Sequence, residues 1–179
     1  SGLAQAVEDK LLTPAALSLS AEIRRHDRSD TLVRTVATDP FAIGIASYSE
    51  TGTARILTLT GSCGFSLSAG RRTIKTEDYP LTAPLFLYLP AHRLPRVARD
   101  FLTYVRGPAA QIVIRRAGFV DQAAERIPLA AQGERLSNAI KAAGEDTPLE
   151  ELQRMISGLD GLQRLTTSFR FETGSSRPD

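Results

Sequence analysis

The stretch that decides the fold is "KTEDYPLTAPLFLYLP", residues 75–90. It contains five consecutive large apolar residues, 85–89, and this run has no amphipathic face. A strand with the sequence Leu-Phe-Leu-Tyr-Leu and no alternation is typical of a sheet that helices cover on both faces. Pro80 and Pro84 keep the approach out of a helix, and neither fits within a central strand. The run therefore predicts a central strand that is buried on both sides.

The composition is that of a globular protein. Of the 179 residues, 42% are hydrophobic and 23% are charged, and the chain is long enough for one substantial core or for one core with an appendage. The formal charge of +2 is too small to indicate a nucleic-acid or membrane partner. We expect no transmembrane segment, because no apolar stretch approaches the roughly 20 residues that a spanning helix needs. Since Met is missing at position 1, we also expect the chain to be processed or cut from a longer protein, with any export signal removed.

Upstream of residue 75, the pattern predicts two helices and three strands. Leu3, Val7 and Leu11 are spaced by four and predict a short helix that begins at the start of the chain. An apolar stripe predicts a second helix over residues 30–38, which the Asp39-Pro40 pair ends. The predicted strands span residues 41–48, with a glycine at a close approach, 54–61 and, more weakly, 71–77.

Two helices are predicted directly after the buried strand. The apolar positions of residues 92–107 follow one helix face, and Gly107 is placed to end it. Pro108 suits the first position of the next helix, which Gly118 ends. This order predicts an α/β domain with helical layers on both sides of the sheet. We expect one core made of Ile43, Ile45, Leu57, Leu85, Leu87, Phe101, Leu102, Ile112 and Val113.

The C-terminal part has a different character from about Asp121 onward. It has fewer β-branched residues, and two helical patterns are separated by a turn. "TPLE" at 147–150 predicts a capping box, with Pro148 at the first position of the second helix. "LTTSFRFE" at 165–172 alternates as a strand does. We therefore expect a helical C-terminal extension.

The search for chemically active residues predicts no catalytic residue, no metal ligand and no cofactor. His26 and His92 lie among arginines and polar residues, a setting typical of solvated surface histidines. Cys63 in "GSCG" has no recognisable base nearby, so a small buried or turn cysteine is favoured over a nucleophile, and a hydrolase that uses Ser62 or Cys63 is the weakest interpretation. The mixed charges of "EIRRHDRSD" favour a solvated turn and helix face. We expect that the chain is not an enzyme.

Three segments carry a resemblance to a known family. "DPFAIGIASY", "IKTEDYPLTAPLFLYLP" and "ARDFLTYVRGPAAQIVIRRAGFVDQ" resemble, in order and spacing, the second half of the phosphate-binding proteins of ABC transporters. These proteins belong to the periplasmic-binding-protein superfamily, type 2. Two departures are Gly107, where the family usually has Ser, and Ile45, where Tyr is common. The resemblance implies a three-layer αβα lobe over residues 1–122, with the first lobe incomplete, followed by a helical extension over residues 123–179.

The resemblance also implies a ligand site at Ser1, Gly2 and Leu3. The family carries Ser-Gly-Thr at a helix N-terminus, where hydroxyl and backbone N–H groups hold phosphate. A helix N-terminus provides unpaired N–H donors and a partial positive charge, and glycine lets the backbone approach an anion. Leu3 departs from this pattern, because it removes one hydroxyl. A plain helix cap formed by Ser1 and Gly2 remains the alternative interpretation.

The function that the resemblance implies is a solute-binding module for phosphate or a related oxyanion in the periplasm, with the permease of an ABC transporter as a partner. The tail "LQRLTTSFRFETGSSRPD" is similar to the entry of an OmpA-like peptidoglycan-binding domain. Residues 123–179 would thus lead into a truncated OmpA-like domain, with peptidoglycan as a further partner. The alternative is a structural or signalling module of the cell envelope that keeps the fold and has lost its ligand.

Overall fold

The computed structural model of the chain describes residues 2–61, 64–167, 169, 171, 172 and 174–177. Two compact units are present, and each is assembled from two separate segments of the chain. Unit 1 comprises Ser1–Ile56 and Pro80–Asp121, and unit 2 comprises Leu57–Tyr79 and Gln122–Asp179. The predicted domain division after residue 122 stays a prediction. One unit boundary lies close to it, between Asp121 and Gln122, but residues 57–79 also belong to the C-terminal unit.

The helices and strands are short and follow one another in this order: α1 (Gly2–Val7), α2 (Ser29–Thr38), β1 (Leu59–Thr60), β2 (Ser66–Leu67), α3 (Arg71–Lys75), α4 (Arg96–Arg106), α5 (Pro108–Arg116), β3 (Arg126–Pro128), α6 (Gly133–Ala143), α7 (Leu149–Leu159) and β4 (Gln163–Leu165). Helix α1 continues as a π-helical turn over Glu8–Leu12 and a 3-10 turn over Thr13–Ala15. Further 3-10 turns lie at Tyr48–Glu50 and Leu129–Gln132.

The predicted helices of unit 1 are confirmed. Helix α1 begins at the start of the chain and α2 ends before Asp39-Pro40. Gly107 ends α4 by donating its amide to the carbonyl of Tyr104 at 2.9 Å. Pro108 is then the first residue of α5, where its missing N–H costs no hydrogen bond. Helices α4 and α5 contact each other on the two sides of Gly107.

Two glycines of unit 1 are required by close approaches. A Cβ atom on Gly44 would lie 2.8 Å from side-chain carbons of both Leu32 and Val36, so α2 packs closely on this segment. The glycine was predicted to allow a close backbone, and the neighbours are instead the side chains of α2. Gly118 has a φ of +85°, and a Cβ atom there would lie 3.3 Å from the backbone of Ser49.

The prediction that residues 85–89 form a buried central strand is wrong. The structure describes all five residues, and none of them belongs to a helix or a strand. Leu85 is 79% exposed. Residues 41–47 likewise form no strand, and Phe41 is 93% exposed. A strand becomes buried only when neighbouring strands and a covering layer are present, and Pro84 and Pro90 supply no N–H donor for pairing at the two ends of the run.

The predicted common core is also wrong, because the central sheet around which it was expected does not form in the described residues. Its members Ile43, Ile45, Leu57, Leu85, Leu87, Phe101, Ile112 and Val113 are exposed, and Leu102 is half-buried. Among the residues that the structure describes, the buried apolar ones are instead Val7, Val33 and Ala110 in unit 1 and Ile127 in unit 2. Burial in each unit is therefore local, around α1, α2, α5 and β3.

The described residues of unit 2 form two antiparallel strand pairs. Strand β1 pairs with β2, with Leu59 opposite Leu67, and β3 pairs with β4, with Ile127 opposite Arg164. The strand predicted at 54–61 is thus confirmed only at its end. The strand predicted at 71–77 is wrong, because this segment forms α3. The Thr73 hydroxyl accepts a hydrogen bond from the Gly70 amide at 3.0 Å, which caps the start of that helix.

The C-terminal helices α6 and α7 are confirmed, but the predicted capping box is wrong. The Thr147 hydroxyl donates to the carbonyl of Ala143 at 2.6 Å and so ends α6. Pro148 precedes α7 as its N-cap residue and is not its first helical residue. The strand predicted at 165–172 overlaps β4 only at Leu165, and Ser168 and Arg170 lie outside the described residues.

The three-layer αβα fold stays a prediction, since the described residues form seven α-helices and two small antiparallel sheets. Among the residues that the structure describes, no helix combines the length and the apolar character that crossing a membrane requires.

Burial in unit 2 predicts which isoleucine matters for stability. Ile127 on β3 is 3% exposed, whereas Ile140 on α6 is 45% exposed. We expect Ile127→Ala to lower the free energy of unfolding by about 2 to 5 kcal/mol, because it leaves a cavity in a packed region. Ile140→Ala, the matched control, should cost less than about 1 kcal/mol. Urea unfolding of the three proteins measures both values, and equal losses would contradict the assigned burial.

Candidate functional site

The predicted ligand residues lie at the start of α1. Gly2 is the first helical residue and Leu3 is half-buried, whereas Ser1 lies outside the described residues. The prediction of a helix N-terminus at this point is confirmed. The N–H groups of a first helical turn have no acceptor within the helix, so they are available to an anion or to water. The role of Ser1, Gly2 and Leu3 in binding stays a prediction.

The other residues that the sequence singled out do not form a chemical site. His26 is half-buried and His92 is exposed, whereas Ser62 and Cys63 lie outside the described residues. Within the described part of the chain, no group of three or more His, Cys, Asp or Glu residues is arranged to hold a metal ion.

The charged stretch before α2 forms a shallow depression of about 370 Å³. Arg28 donates to Asp30 at 3.0 Å, and both side chains are largely exposed. This ion pair lowers the pKa of the Asp30 carboxyl from 3.8, chiefly through the hydrogen bond from Arg28. The arrangement fits the predicted solvated turn and helix face.

Two basic side chains and one carboxylate meet in unit 2, at what we call the Glu125 cluster: Arg71, Lys75 and Glu125. The Arg71 guanidinium donates two hydrogen bonds to the Glu125 carboxylate, one of them from Nη2 to Oε2 at 3.0 Å. The Lys75 ammonium donates to Oε1 at 2.7 Å, and its side chain is only 5% exposed. The hydrogen bonds from Arg71 and Lys75 lower the pKa of Glu125 from 4.5 to about 2.

A second group, the Asp78 cluster, comprises Thr76, Asp78 and Arg164. The Arg164 guanidinium donates to both oxygens of Asp78, with Nη2 2.9 Å from Oδ1, and the Thr76 hydroxyl donates to Oδ2 at 2.8 Å. Burial acts to raise the pKa of Asp78, but the hydrogen bonds from Arg164 and Thr76 outweigh it, and the net pKa lies below 3.8. Asp78 is therefore an ion-pair partner of Arg164.

Both clusters join the two segments of unit 2. Arg71, Lys75 and Asp78 belong to the segment 57–79, whereas Glu125 and Arg164 belong to the segment 122–179. Within the segment 122–179, Thr166 holds Glu125 beside β4, because its hydroxyl accepts from the Glu125 amide at 2.9 Å and its own amide donates to the Glu125 carbonyl at 3.0 Å.

A groove of about 380 Å³ lies in unit 2 beside the Asp78 cluster. Its apolar part consists of Phe65, Leu67, Ala131 and the buried Ile127. Its charged part holds three arginines and two carboxylates, which are Arg72, Arg135, Arg164, Asp78 and Glu134. The first turn of α6 contributes to the wall, and the N-terminal end of a helix favours negative charge. The lining therefore combines an apolar surface with a small excess of positive charge.

Hydrogen bonds hold the wall of the groove in position. The Asn138 amide donates to the Ser66 carbonyl at 2.8 Å and accepts from the Ser66 amide at 3.1 Å, which ties α6 to β2. The Gln132 side chain donates to the Ile127 carbonyl at 3.1 Å. The amide side chains of Gln132 and Asn138 are thus engaged with the backbone. The arginines remain as the main donors towards a ligand in the groove.

Sequence reasoning missed the groove because its charged residues come from distant positions. Arg164 and Asp78, which line the groove, are 86 residues apart, and the pair of the neighbouring Glu125 cluster, Arg71 and Glu125, is 54 residues apart. Pairs at such separations follow no helix or strand period, so composition and spacing do not reveal them. The Arg71-Arg72 pair at the start of α3 was the one local signal, and it was assigned to a strand.

A comparison of the chain with models of protein families, with curated proteins and with solved structures found no match. The resemblance to the phosphate-binding proteins of ABC transporters therefore stays a prediction that rests on the motifs of the sequence.

The lowered pKa of Glu125 predicts a specific dependence of stability on pH. Because the pKa in the folded chain lies below 4.5, the Glu125 ion pairs stabilise the fold above about pH 4.5, and this contribution is lost as the pH falls towards 2. Glu125→Gln should lower stability near pH 7 and have progressively less effect towards about pH 2. Urea midpoints measured across this range give the comparison.

The matched control for this test is Glu151→Gln on α7. Glu151 is exposed, and the described part of the chain provides it with no ion pair. Its substitution should leave the pH profile of the parent protein unchanged. A Glu125→Gln profile that runs parallel to the parent profile at every pH would contradict the assignment of the pKa.

Proposed function

We propose that the chain is a solute-binding module for phosphate or a related oxyanion, part of a substrate-binding protein of the ABC-transporter type. The observation that carries the proposal is the occurrence of three motifs in fixed order, "DPFAIGIASY", "IKTEDYPLTAPLFLYLP" and "ARDFLTYVRGPAAQIVIRRAGFVDQ". The module binds and releases its solute without changing it, so it is not an enzyme.

The geometry of α1 supports this proposal at the position where the ligand site is expected. The helix begins at Gly2, directly after the serine of the Ser-Gly pair. Backbone N–H groups at a helix start are donors with a fixed direction, and glycine adds no side chain between them and an anion. These donors do not depend on Leu3, whose side chain brings no hydroxyl.

The location and partners belong to the same proposal. We place the protein in the periplasm, with the permease of an ABC transporter as the partner that receives the solute. The tail that is similar to an OmpA-like entry supports attachment to peptidoglycan through a following domain.

A second function is favoured by two observations. Leu3 stands where the family has a hydroxyl, and residues 85–89 present a large exposed apolar surface that a partner protein would cover. Both observations favour a structural or signalling module of the cell envelope that has lost ligand binding. The two functions differ in one measurable property, which is the affinity of the N-terminal residues for phosphate.

The test is a titration of the chain with inorganic phosphate and with sulfate, followed by NMR spectroscopy of the backbone amides. The amides of residues 2–7 should respond to phosphate. Gly2→Asp should weaken phosphate binding about fivefold or more, because like charges about 4 Å apart repel by roughly 1 to 4 kcal/mol. The same carboxylate is favourable for the helix itself, so α1 should remain folded.

Gly133→Asp is the matched control, because Gly133 also begins a helix and an added Cβ atom would meet nothing within 4 Å. This variant should keep the phosphate affinity of the parent. Absence of any response at α1 would contradict the oxyanion function and favour the second one. Phosphate binding that Gly133→Asp weakens and Gly2→Asp leaves intact would place the anion in unit 2 and also contradict the proposed site.

A further inference from the structure

Two arginines of the unit 2 groove have no acidic partner. Among the described residues, neither Arg72 nor Arg135 has a carboxylate within ion-pair distance, although both line the groove. Arg72 makes one long hydrogen bond, from Nη1 to the Ala131 carbonyl at 3.4 Å. Arg135 is exposed on the first turn of α6, and its charge acts on Asp78. The other arginine of the groove, Arg164, is already paired with Asp78.

The Asp78 cluster shows what these arginines are suited to hold. A guanidinium is a planar fork of donors, and its most favourable acceptor is a carboxylate that takes two parallel hydrogen bonds. Arg164 binds Asp78 in this manner, with a hydroxyl of Thr76 as a third donor. Arg72 and Arg135 offer the same donor geometry to a group from outside the chain.

The apolar side of the groove restricts the ligand further. Phe65 and Leu67 are half-buried above the buried Ile127, and their side chains form an apolar surface in the groove that the two arginines also line. An inorganic anion would use the arginines and leave this surface in contact with water. A neutral apolar ligand would use the surface and cover two charged groups without pairing them, which is costly. A ligand with both characters satisfies the whole lining.

We propose that the unit 2 groove binds a small organic monocarboxylate whose carboxylate lies on Arg72 and Arg135 and whose apolar body lies on Phe65 and Leu67. The volume of about 380 Å³ is at the lower end of the usual range for ligand pockets, which suits a compact molecule. The excess of one positive charge in the lining suits a single negative charge. This site is separate from the N-terminal residues of the proposed function and does not depend on them.

Three probes separate the two parts of the proposed ligand. Benzoate carries a carboxylate and an apolar ring, benzamide is its neutral analogue, and acetate has the charge without the ring. NMR titration of the whole chain should show benzoate bound in the groove, with amide shifts at residues 65–67 and 133–138. Benzamide and acetate should each bind about tenfold more weakly or worse, because each loses either the charge-assisted hydrogen bonds or the apolar contact.

Two variants of Arg135 and one control assign the carboxylate contact. Arg135→Gln should weaken benzoate binding about tenfold and leave benzamide binding unchanged, and Arg135→Lys should fall between the parent and Arg135→Gln. Arg154→Gln is the control, since Arg154 is exposed on α7 and does not line the groove. The urea midpoints of all variants should equal that of the parent, because none of these residues is buried.

Several results would overturn the proposal. Equal affinities for benzoate and acetate would show that the apolar part plays no role. Equal affinities for benzoate and benzamide would show that the carboxylate contributes nothing to binding. Absence of a response at residues 65–67 would show that benzoate does not bind in the groove. Inorganic phosphate is titrated in parallel: if Arg135→Gln weakens phosphate and benzoate alike, the groove is a general anion surface. If phosphate gives no response at α1 while benzoate still binds in the groove, the proposed function is contradicted and the carboxylate site of unit 2 is not.

Discussion

Unit 2 depends on the carboxylate of Glu125. It is bound by the Arg71 guanidinium and by the ammonium of Lys75, whose side chain is 5% exposed. A buried ammonium without a partner would cost several kcal/mol, so the chain must bring a carboxylate to Lys75 or remain open there. Because Glu125 lies on the other segment of unit 2, this requirement brings the two segments together. The buried apolar side chain of Ile127 then adds the local packing.

The groove exists as a consequence of this pairing. With α3 held to the segment that contains β3 and β4, Asp78 meets Arg164, and Arg72 lies in the same groove as the first turn of α6. Asn138 completes the wall by binding Ser66 of β2. Charged and amide side chains therefore position the site more than a hydrophobic core does, and they leave an apolar surface available to a ligand.

The sequence predicted those features that depend on nearby residues. Helices α1, α2, α4, α6 and α7 were predicted from helical patterns that recur within one or two turns. Helix α5 was predicted from Pro108 and Gly118, which mark its two ends by their own backbone chemistry. The strands predicted at 41–48 and 85–89 do not form, since a strand needs partners that its own sequence does not specify. The helix at 71–75 was missed because the Thr73 cap was not considered. Of the two candidate sites, the helix start at Gly2 was predicted, and the groove was not, because Asp78 and Arg164 are far apart in sequence.

The most direct test of this account is a double-mutant cycle between Lys75 and Glu125. Urea unfolding of the parent, Lys75→Met, Glu125→Gln and the double variant gives the free energy of coupling between the two side chains. We expect a coupling of about 1 to 3 kcal/mol, with the double variant more stable than the sum of the single losses implies, because it leaves neither the Lys75 ammonium nor the Glu125 carboxylate without the other. Arg71 loses the Glu125 carboxylate in both Glu125→Gln proteins, so its contribution cancels in the cycle. A coupling below about 0.5 kcal/mol would show that the two segments of unit 2 are held together by something other than this ion pair.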